Sequence, residues 1–134
     1  MSKFLDQAGA GALGIFNALQ VRARSDYVGS DEALESLRDE MDRHLLALQK
    51  LARKNEMMPI DLAEAMVSGL HVLLDALASF SLDEQTAVVG AALYFISDTD
   101  ELPDMETILG LDDDVLVFNH VVALVGRPDL SIEP

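Results

Sequence analysis

The feature that most restricts the fold of this chain is the spacing of its apolar residues, which recur every three to four positions over most of its length. The clearest stripe consists of Leu34, Leu37, Met41, Leu45, Leu48 and Leu51. Ser30 precedes it as a favourable N-cap, and Lys50, Arg53 and Lys54 suit the negative end of a helix dipole. This pattern predicts an amphipathic helix that begins after Ser30 and ends at about Lys54.

A first helix is predicted before this one. Apolar residues between Phe4 and Leu19 follow one helical face, and the sequence Tyr27-Val28-Gly29 ends the pattern. Residues 9–14, GAGALG, match the glycine spacing of dinucleotide-binding sites. Because that chemistry requires a preceding strand, which is missing here, we interpret these small residues as a place where helices pack closely.

A third and a fourth helix are predicted after residue 58. Pro59 is favoured at the first helical position, and the apolar spacing after it continues to about Ser79. Ser81 and Glu84 have the spacing of a capping box, which predicts the start of a fourth helix that runs through Ile96.

The last apolar segment, DDVLVFNHVVALVG at residues 113–126, is apolar on nearly every side and is therefore predicted to be buried. Its valines would also suit a strand, but the flanking acidic residues and the absence of a strand to pair with favour a helix. Five to six helices with short connections predict a compact all-α bundle, with residues 1–134 in a single domain.

The composition limits the chemistry that the chain can perform. Half of its 134 residues are apolar, which is enough for one sizeable core, and none is a cysteine. Disulfides, thiol nucleophiles and Cys-ligated metals are thus excluded. No stretch approaches the roughly 20 apolar residues that cross a bilayer, and we interpret the N-terminal segment as part of the fold. These features predict a cytoplasmic protein.

The charge is strongly negative and unevenly distributed. The net charge is −15, and residues 60–134 contain fifteen acidic residues and a single basic one, Arg127. Such a surface repels nucleic acid and anionic lipid, so we expect no nucleic-acid binding, and the charge opposes membrane association. Solubility, a basic protein partner, cations and adaptation to a salty cytoplasm all remain compatible with it.

One histidine has neighbours that suit a metal site. Glu64, Ser68, His71 and Asp75 fall on one helical face, and the spacing of His71 and Asp75 can place two ligands on one metal. The same spacing is typical of an ordinary solvated face, which is the interpretation that we favour.

The other two histidines and the polar residues do not form a catalytic motif. His44 lies at the edge of the apolar stripe and is predicted to pack or to form a hydrogen bond. Asn119 and His120 interrupt an apolar segment, so His120 is predicted to bond to backbone or to a carboxylate, with a ligand role as the alternative. The chain contains neither a GxSxG nor an HExxH motif, and this favours a protein that is not an enzyme.

The most acidic segment is SDTDELPDMETILGLDDD, residues 97–114, with eight acidic residues and no basic one. It fits no EF-hand register. A different cation site would form if the fold brought together Asp100, Asp104, Asp113 and Asp114, and such an all-oxygen set suits Mg²⁺ or Ca²⁺.

Local structure offers another explanation of the same residues. Asp100 can tighten the turn before Pro103, and Gly110 can supply a left-handed turn. Residues 112–114 would then cap the next helix. In this interpretation the segment is a corner between two helices.

A spaced motif extends from helix four through this segment: Tyr94-Phe95-Ile96, Asp100, Leu102-Pro103-Asp104, Gly110 and Asp113-Asp114. With this motif, about residues 91–125 resemble the YkvA-like family, a domain of unknown function. The resemblance implies a small helical domain with no established activity. Residues 1–80 are outside the resemblance.

Four acidic residues depart from that family pattern. Asp98 replaces a usual proline, while Glu101, Glu106 and Asp112 replace residues of the family's apolar or apolar-proline positions. We therefore predict an interaction surface at these four residues.

Two functional hypotheses follow from the sequence. The first is a non-enzymatic protein that acts through protein–protein contact with a basic partner and that self-associates through the second helix or the glycine-rich first helix. The second is a divalent-cation-binding protein, with hydrolytic activity as one variant, that uses the four aspartates of the all-oxygen set.

Overall fold

The computed structural model describes the backbone of residues 3–56, 58–97 and 104–132, and the side chains of these residues except 3–13 and 104–112. Five α-helices follow one another along the chain: α1 (Lys3–Asp26), α2 (Asp31–Lys54), α3 (Ile60–Asp75), α4 (Leu82–Ser97) and α5 (Asp104–Leu124). Two short 3₁₀ turns, Leu77–Ser79 and Pro128–Leu130, complete the described elements. The predicted all-α bundle is confirmed.

Helix α4 is at the centre of the bundle. Its residues 86–95 are all buried, and the other four α-helices pack around it. Close approach of α1 depends on Gly90, where a Cβ atom would lie 2.8 Å from Gln20 Cγ and 3.2 Å from Phe16 Cε1. On α1 itself, Gly14 is exposed, and a Cβ atom there would have no neighbouring atom within 4 Å. Of the predicted close-packing glycines, Gly14 therefore does not have that role, and the surroundings of the others lie outside the described side chains.

The start and the apolar stripe of α2 agree with the sequence prediction. The backbone N–H of Ala33 donates to Ser30 Oγ at 3.2 Å, as expected of an N-cap. Gly29 precedes it with φ of +89°, a left-handed conformation that favours glycine. Within the stripe, Leu37, Met41 and Leu48 are buried, so this face attaches α2 to the core.

The boundaries of α3 and α4 agree with the prediction to within one residue, with Pro59 as the N-cap before Ile60, except at the end of α3. Helix α3 ends at Asp75 instead of continuing to Ser79, and a separate 3₁₀ turn takes its place. The capping box is present in both directions. Ser81 N donates to Glu84 Oε1 at 2.8 Å, and Glu84 N donates to Ser81 Oγ at 3.2 Å.

Helix α5 corrects the prediction of a corner within the acidic segment. It runs without interruption from Asp104 to Leu124, so Gly110 and residues 112–114 are inside a helix. Gly110 therefore makes no left-handed turn, and the three aspartates do not cap a helix start. A glycine inside a helix costs about 1 kcal/mol, which burial of apolar residues along the same helix readily offsets. The choice of helix over strand for residues 113–126 is confirmed over most of its length.

The C-terminal segment is attached to α5 by one side chain. Gly126 ends the helix with φ of +77°. Asn119 Nδ2 then donates to the carbonyl oxygen of Ile132 at 2.7 Å, and Ile132 N donates to Asn119 Oδ1 at 2.8 Å. Among the described residues, no helix combines the length and the apolar character that crossing a membrane demands.

Candidate functional site

The four aspartates of the predicted cation site are only partly described. Asp100 lies outside the described residues, and Asp104 is the first residue of α5, with a side chain that is not described. Asp113 is partly buried, whereas Asp114 is 2% exposed. Within the described part of the chain, no three His, Asp or Glu residues are grouped as metal ligands. Convergence of the four aspartates on a cation stays a prediction.

Asp113 and Asp114 differ in environment because adjacent residues of a helix point about 100° apart. Asp114 is buried with Val115 and Phe118, which belong to the core. Burying an ionised carboxylate is costly unless hydrogen-bond donors or a positive charge compensate for it. The sequence pattern gave both residues the same role, whereas in the structure Asp114 is more deeply buried than Asp113.

The predicted interaction surface falls mostly outside the described side chains. Asp98 and Glu101 lie outside the described residues, and the side chains of Glu106 and Asp112, both within α5, are not described. This surface stays a prediction.

The described side chains form a groove along the seam between α2 and α3. A cavity of about 490 Å³ adjoins a second cavity of about 230 Å³, with which it shares Asp31, Leu34 and Leu74. We call the combined feature the α2–α3 groove. Its lining consists of Gly29, Asp31, Leu34, Glu35, Arg38, Leu74, Asp75, Leu77, Ala78 and Gln85.

The groove combines an apolar floor with acidic walls. Leu74 and Leu77 are buried and Leu34 is partly buried beside them. Asp31, Glu35 and Asp75 are exposed, and Arg38 is the single basic residue in the lining. Three carboxylates against one guanidinium give the groove a negative potential, in the same sense as the net charge of the chain.

Arg38 lines the groove and joins α2 to α3. Its Nη2 donates to Asp75 Oδ1 at 2.7 Å, and its Nη1 lies 2.9 Å from His71 Nδ1. On the other side of the ring, His71 Nε2 lies 2.9 Å from Asp42 Oδ1. Four side chains thus form one continuous polar network across the helix pair.

This network fixes the tautomer of His71. A guanidinium can only donate hydrogen bonds, so Nδ1 of His71 must accept, and in the neutral ring the proton is on Nε2, which donates to Asp42. Both ring nitrogens are therefore engaged. Neither is available to a metal or to a substrate proton while Arg38 and Asp42 keep these positions.

The predicted polar face of α3 is therefore present, and part of it forms hydrogen bonds with α2. His71 and Asp75 do share a face, but Arg38 from α2 bonds to both of them. Glu64 instead accepts from Gln49 Nε2 at 3.0 Å. One feature of the sequence could have indicated this contact: Arg38 and Asp42 are also four positions apart, and their charges complement those of His71 and Asp75 on α3.

The remaining histidines have packing roles. His44 meets the ring of Phe95 edge-on with centroids 4.6 Å apart, which confirms the predicted packing contact. His120 lies edge-on to Phe16 at 6.4 Å, between α5 and α1, and burial lowers its pKa. Its predicted bond to backbone or carboxylate stays a prediction.

Comparison of the chain with protein-family models, with curated proteins and with solved structures found no match. The resemblance to the YkvA-like family stays a prediction.

Proposed function

We propose that this protein acts through protein–protein contact and that the α2–α3 groove binds a basic segment of its partner. One observation carries the proposal: exposed carboxylates and an apolar floor occur together in one groove of the described surface. Acidic residues alone would be explained by solubility, and an apolar depression alone would not indicate a particular ligand. Their combination suits a ligand that is both basic and partly apolar.

A basic amphipathic helix has this complementary chemistry. Its apolar residues would pack on Leu34, Leu74 and Leu77, as in other complexes where a helix docks in a groove. Lysine and arginine side chains extend apolar stems with a charged end, so they can follow the floor and reach the acidic walls. Asp31 and Glu35 are the walls best placed for them, because Asp75 already accepts a hydrogen bond from Arg38.

The charge of the whole chain supports the same kind of partner. A net charge of −15 attracts a basic segment from a distance and speeds its encounter with the groove. Because this attraction is electrostatic, binding should weaken as salt is added, with a screening length of about 8 Å at physiological ionic strength.

A fluorescein-labelled peptide of leucine and lysine at helical spacing tests the proposal by anisotropy. We expect it to bind the native protein, and the double variant Asp31→Asn/Glu35→Gln to weaken binding about tenfold, which corresponds to about 1.4 kcal/mol. The matched control Asp61→Asn/Glu64→Gln removes the same two charge types from exposed positions of α3 outside the groove.

The control variant should bind nearly as well as the native protein. Equal weakening by both double variants would mean that the peptide responds to total charge only, which contradicts a role for the groove. Native-like affinity of the groove variant would also contradict it. Circular dichroism establishes that both variants keep their helical content.

Divalent-cation binding by Asp100, Asp104, Asp113 and Asp114 is the alternative function. It is supported by the chemistry of the four side chains, because an all-oxygen set of carboxylates suits Mg²⁺ or Ca²⁺. Calorimetric titration with Mg²⁺ and Ca²⁺ tests it. Heat of binding that disappears in Asp114→Asn would support this function, and the absence of heat with the native protein would eliminate it.

A further inference from the structure

We infer that a second surface, formed by α1, α4 and α5, associates with the same surface of a second copy of the chain. Val21 and Leu124 line a depression of about 310 Å³ together with Gln20, Arg24, Asp83 and Thr86. Leu82 lies one helical turn before Thr86. We define the α1–α4–α5 patch by Val21, Arg24, Leu82, Asp83, Thr86 and Leu124, and none of these residues lines the α2–α3 groove.

The patch concentrates apolar area in contact with solvent. Val21 is 72% exposed, Leu124 50% and Leu82 47%, although all three are large hydrophobic residues. The one hydroxyl in the patch is satisfied internally, because Thr86 Oγ1 donates to the carbonyl oxygen of Leu82 at 2.8 Å. An exposed apolar cluster of this kind is typical of a protein contact surface.

The charges of the patch favour a second copy of the chain as its binding partner. Arg24 Nη1 and Asp83 Oδ1 lie 3.4 Å apart, so the patch is close to neutral on a chain of net charge −15. A basic partner finds no excess negative charge there. Two anionic copies, by contrast, can approach with least repulsion at such a place.

The same two charges make the patch complementary to itself. In a twofold dimer each contact occurs twice with the roles of the copies exchanged, so Arg24 of each copy can face Asp83 of the other. The apolar residues of the two copies then cover one another. In such a dimer, the positive and the negative group of each patch are both paired with groups of the other copy.

Sedimentation velocity over a range of concentrations tests this inference. The native protein should show a monomer–dimer equilibrium, and Val21→Glu should weaken dimerisation by about tenfold or more, because it places two carboxylates in the contact. Leu124→Gln is the second variant and should weaken it in the same direction. Both positions are exposed, so the fold should be retained.

Leu46→Glu is the matched control, because Leu46 is 49% exposed on α2, the other helix expected to mediate self-association. It should dimerise like the native protein. A native protein that stays monomeric at submillimolar concentration would overturn the inference. So would a dimer that Val21→Glu and Leu124→Gln leave intact, or one that Leu46→Glu disrupts equally.

Discussion

At the scale of single residues, two glycines permit the helices to approach one another: Gly90 beneath α1, and Gly69 of α3. A Cβ atom on Gly69 would lie 2.5 Å from Phe118 Cζ of α5, closer than real Cβ contacts. Phe118 is itself buried in the core, so its ring has little room to move. The absence of a side chain at Gly69 therefore determines how closely α3 and α5 can pack.

We predict that Gly69→Ala lowers the free energy of unfolding by about 1–3 kcal/mol, the usual cost of overpacking a core. Urea denaturation measures it. Gly14→Ala is the control, because Gly14 is inside α1 and a Cβ atom there would meet nothing within 4 Å. Alanine at this position should stabilise the protein by about 0.5–1 kcal/mol. Equal effects of the two substitutions would contradict the assignment of Gly69 as a packing residue.

The structural role of a residue can be predicted from the sequence when its partners are close along the chain, and much less well when they are distant. Ser30, Ser81 and Glu84 act locally, within four positions of their partners, and their capping roles were predictable. Gly69 was not, because its role depends on Phe118, nearly fifty positions away along the chain. Contacts of that kind follow from the packing of whole helices.

At the scale of elements, α5 shows how burial overrides local turn signals. Gly110 and the aspartates at 112–114 indicated a corner, yet α5 is continuous from Asp104 to Leu124. Capping and turn preferences are worth about 0.5–2 kcal/mol each. Burial of a single large apolar side chain is worth about 1.5–3 kcal/mol, and α5 buries several.

The candidate site depends on the pairing of elements in the same way. The sequence pattern places His71 and Asp75 on one face of α3, which is correct. It could not show that Arg38 and Asp42 of α2 face them, because nothing local determines which helices are neighbours. The α2–α3 groove follows from that pairing.

The contact between α1 and α5 should make stability depend on pH through His120. Burial against Phe16 lowers the pKa of His120 below its ordinary value of about 6.5, so between these two pKa values the unfolded chain binds more protons. The contribution of His120 to the free energy of unfolding is fully present above about pH 6.5. It is lost as the pH falls from there towards the lowered pKa of His120.

Urea denaturation of the native protein and of His120→Gln at about pH 7.5 and about pH 5.5, on either side of the ordinary histidine pKa, isolates this effect. All other ionisable groups are common to the two proteins, so their contributions cancel in the difference. The native protein should lose more stability on acidification than the variant. An equal loss in both would show that His120 does not contribute to the pH dependence.

At the scale of the whole molecule, the two proposed contacts should respond to salt in opposite directions. Binding of a basic peptide to the α2–α3 groove is an attraction between unlike charges, which salt screens. Association of two copies, each with a net charge of −15, works against long-range repulsion, which salt also screens. Added salt should thus weaken peptide binding and strengthen dimerisation, so each proposal can fail without the other.

Binding of a basic segment in the α2–α3 groove would be visible residue by residue in methyl NMR spectra during titration with the leucine–lysine peptide. We predict that the methyl signals of Leu34, Leu74 and Leu77 shift with one common dissociation constant, while those of Val21 and Leu124 in the α1–α4–α5 patch stay in place. Shifts centred on Val21 and Leu124, or no shifts in the groove at saturating peptide, would contradict the proposed function.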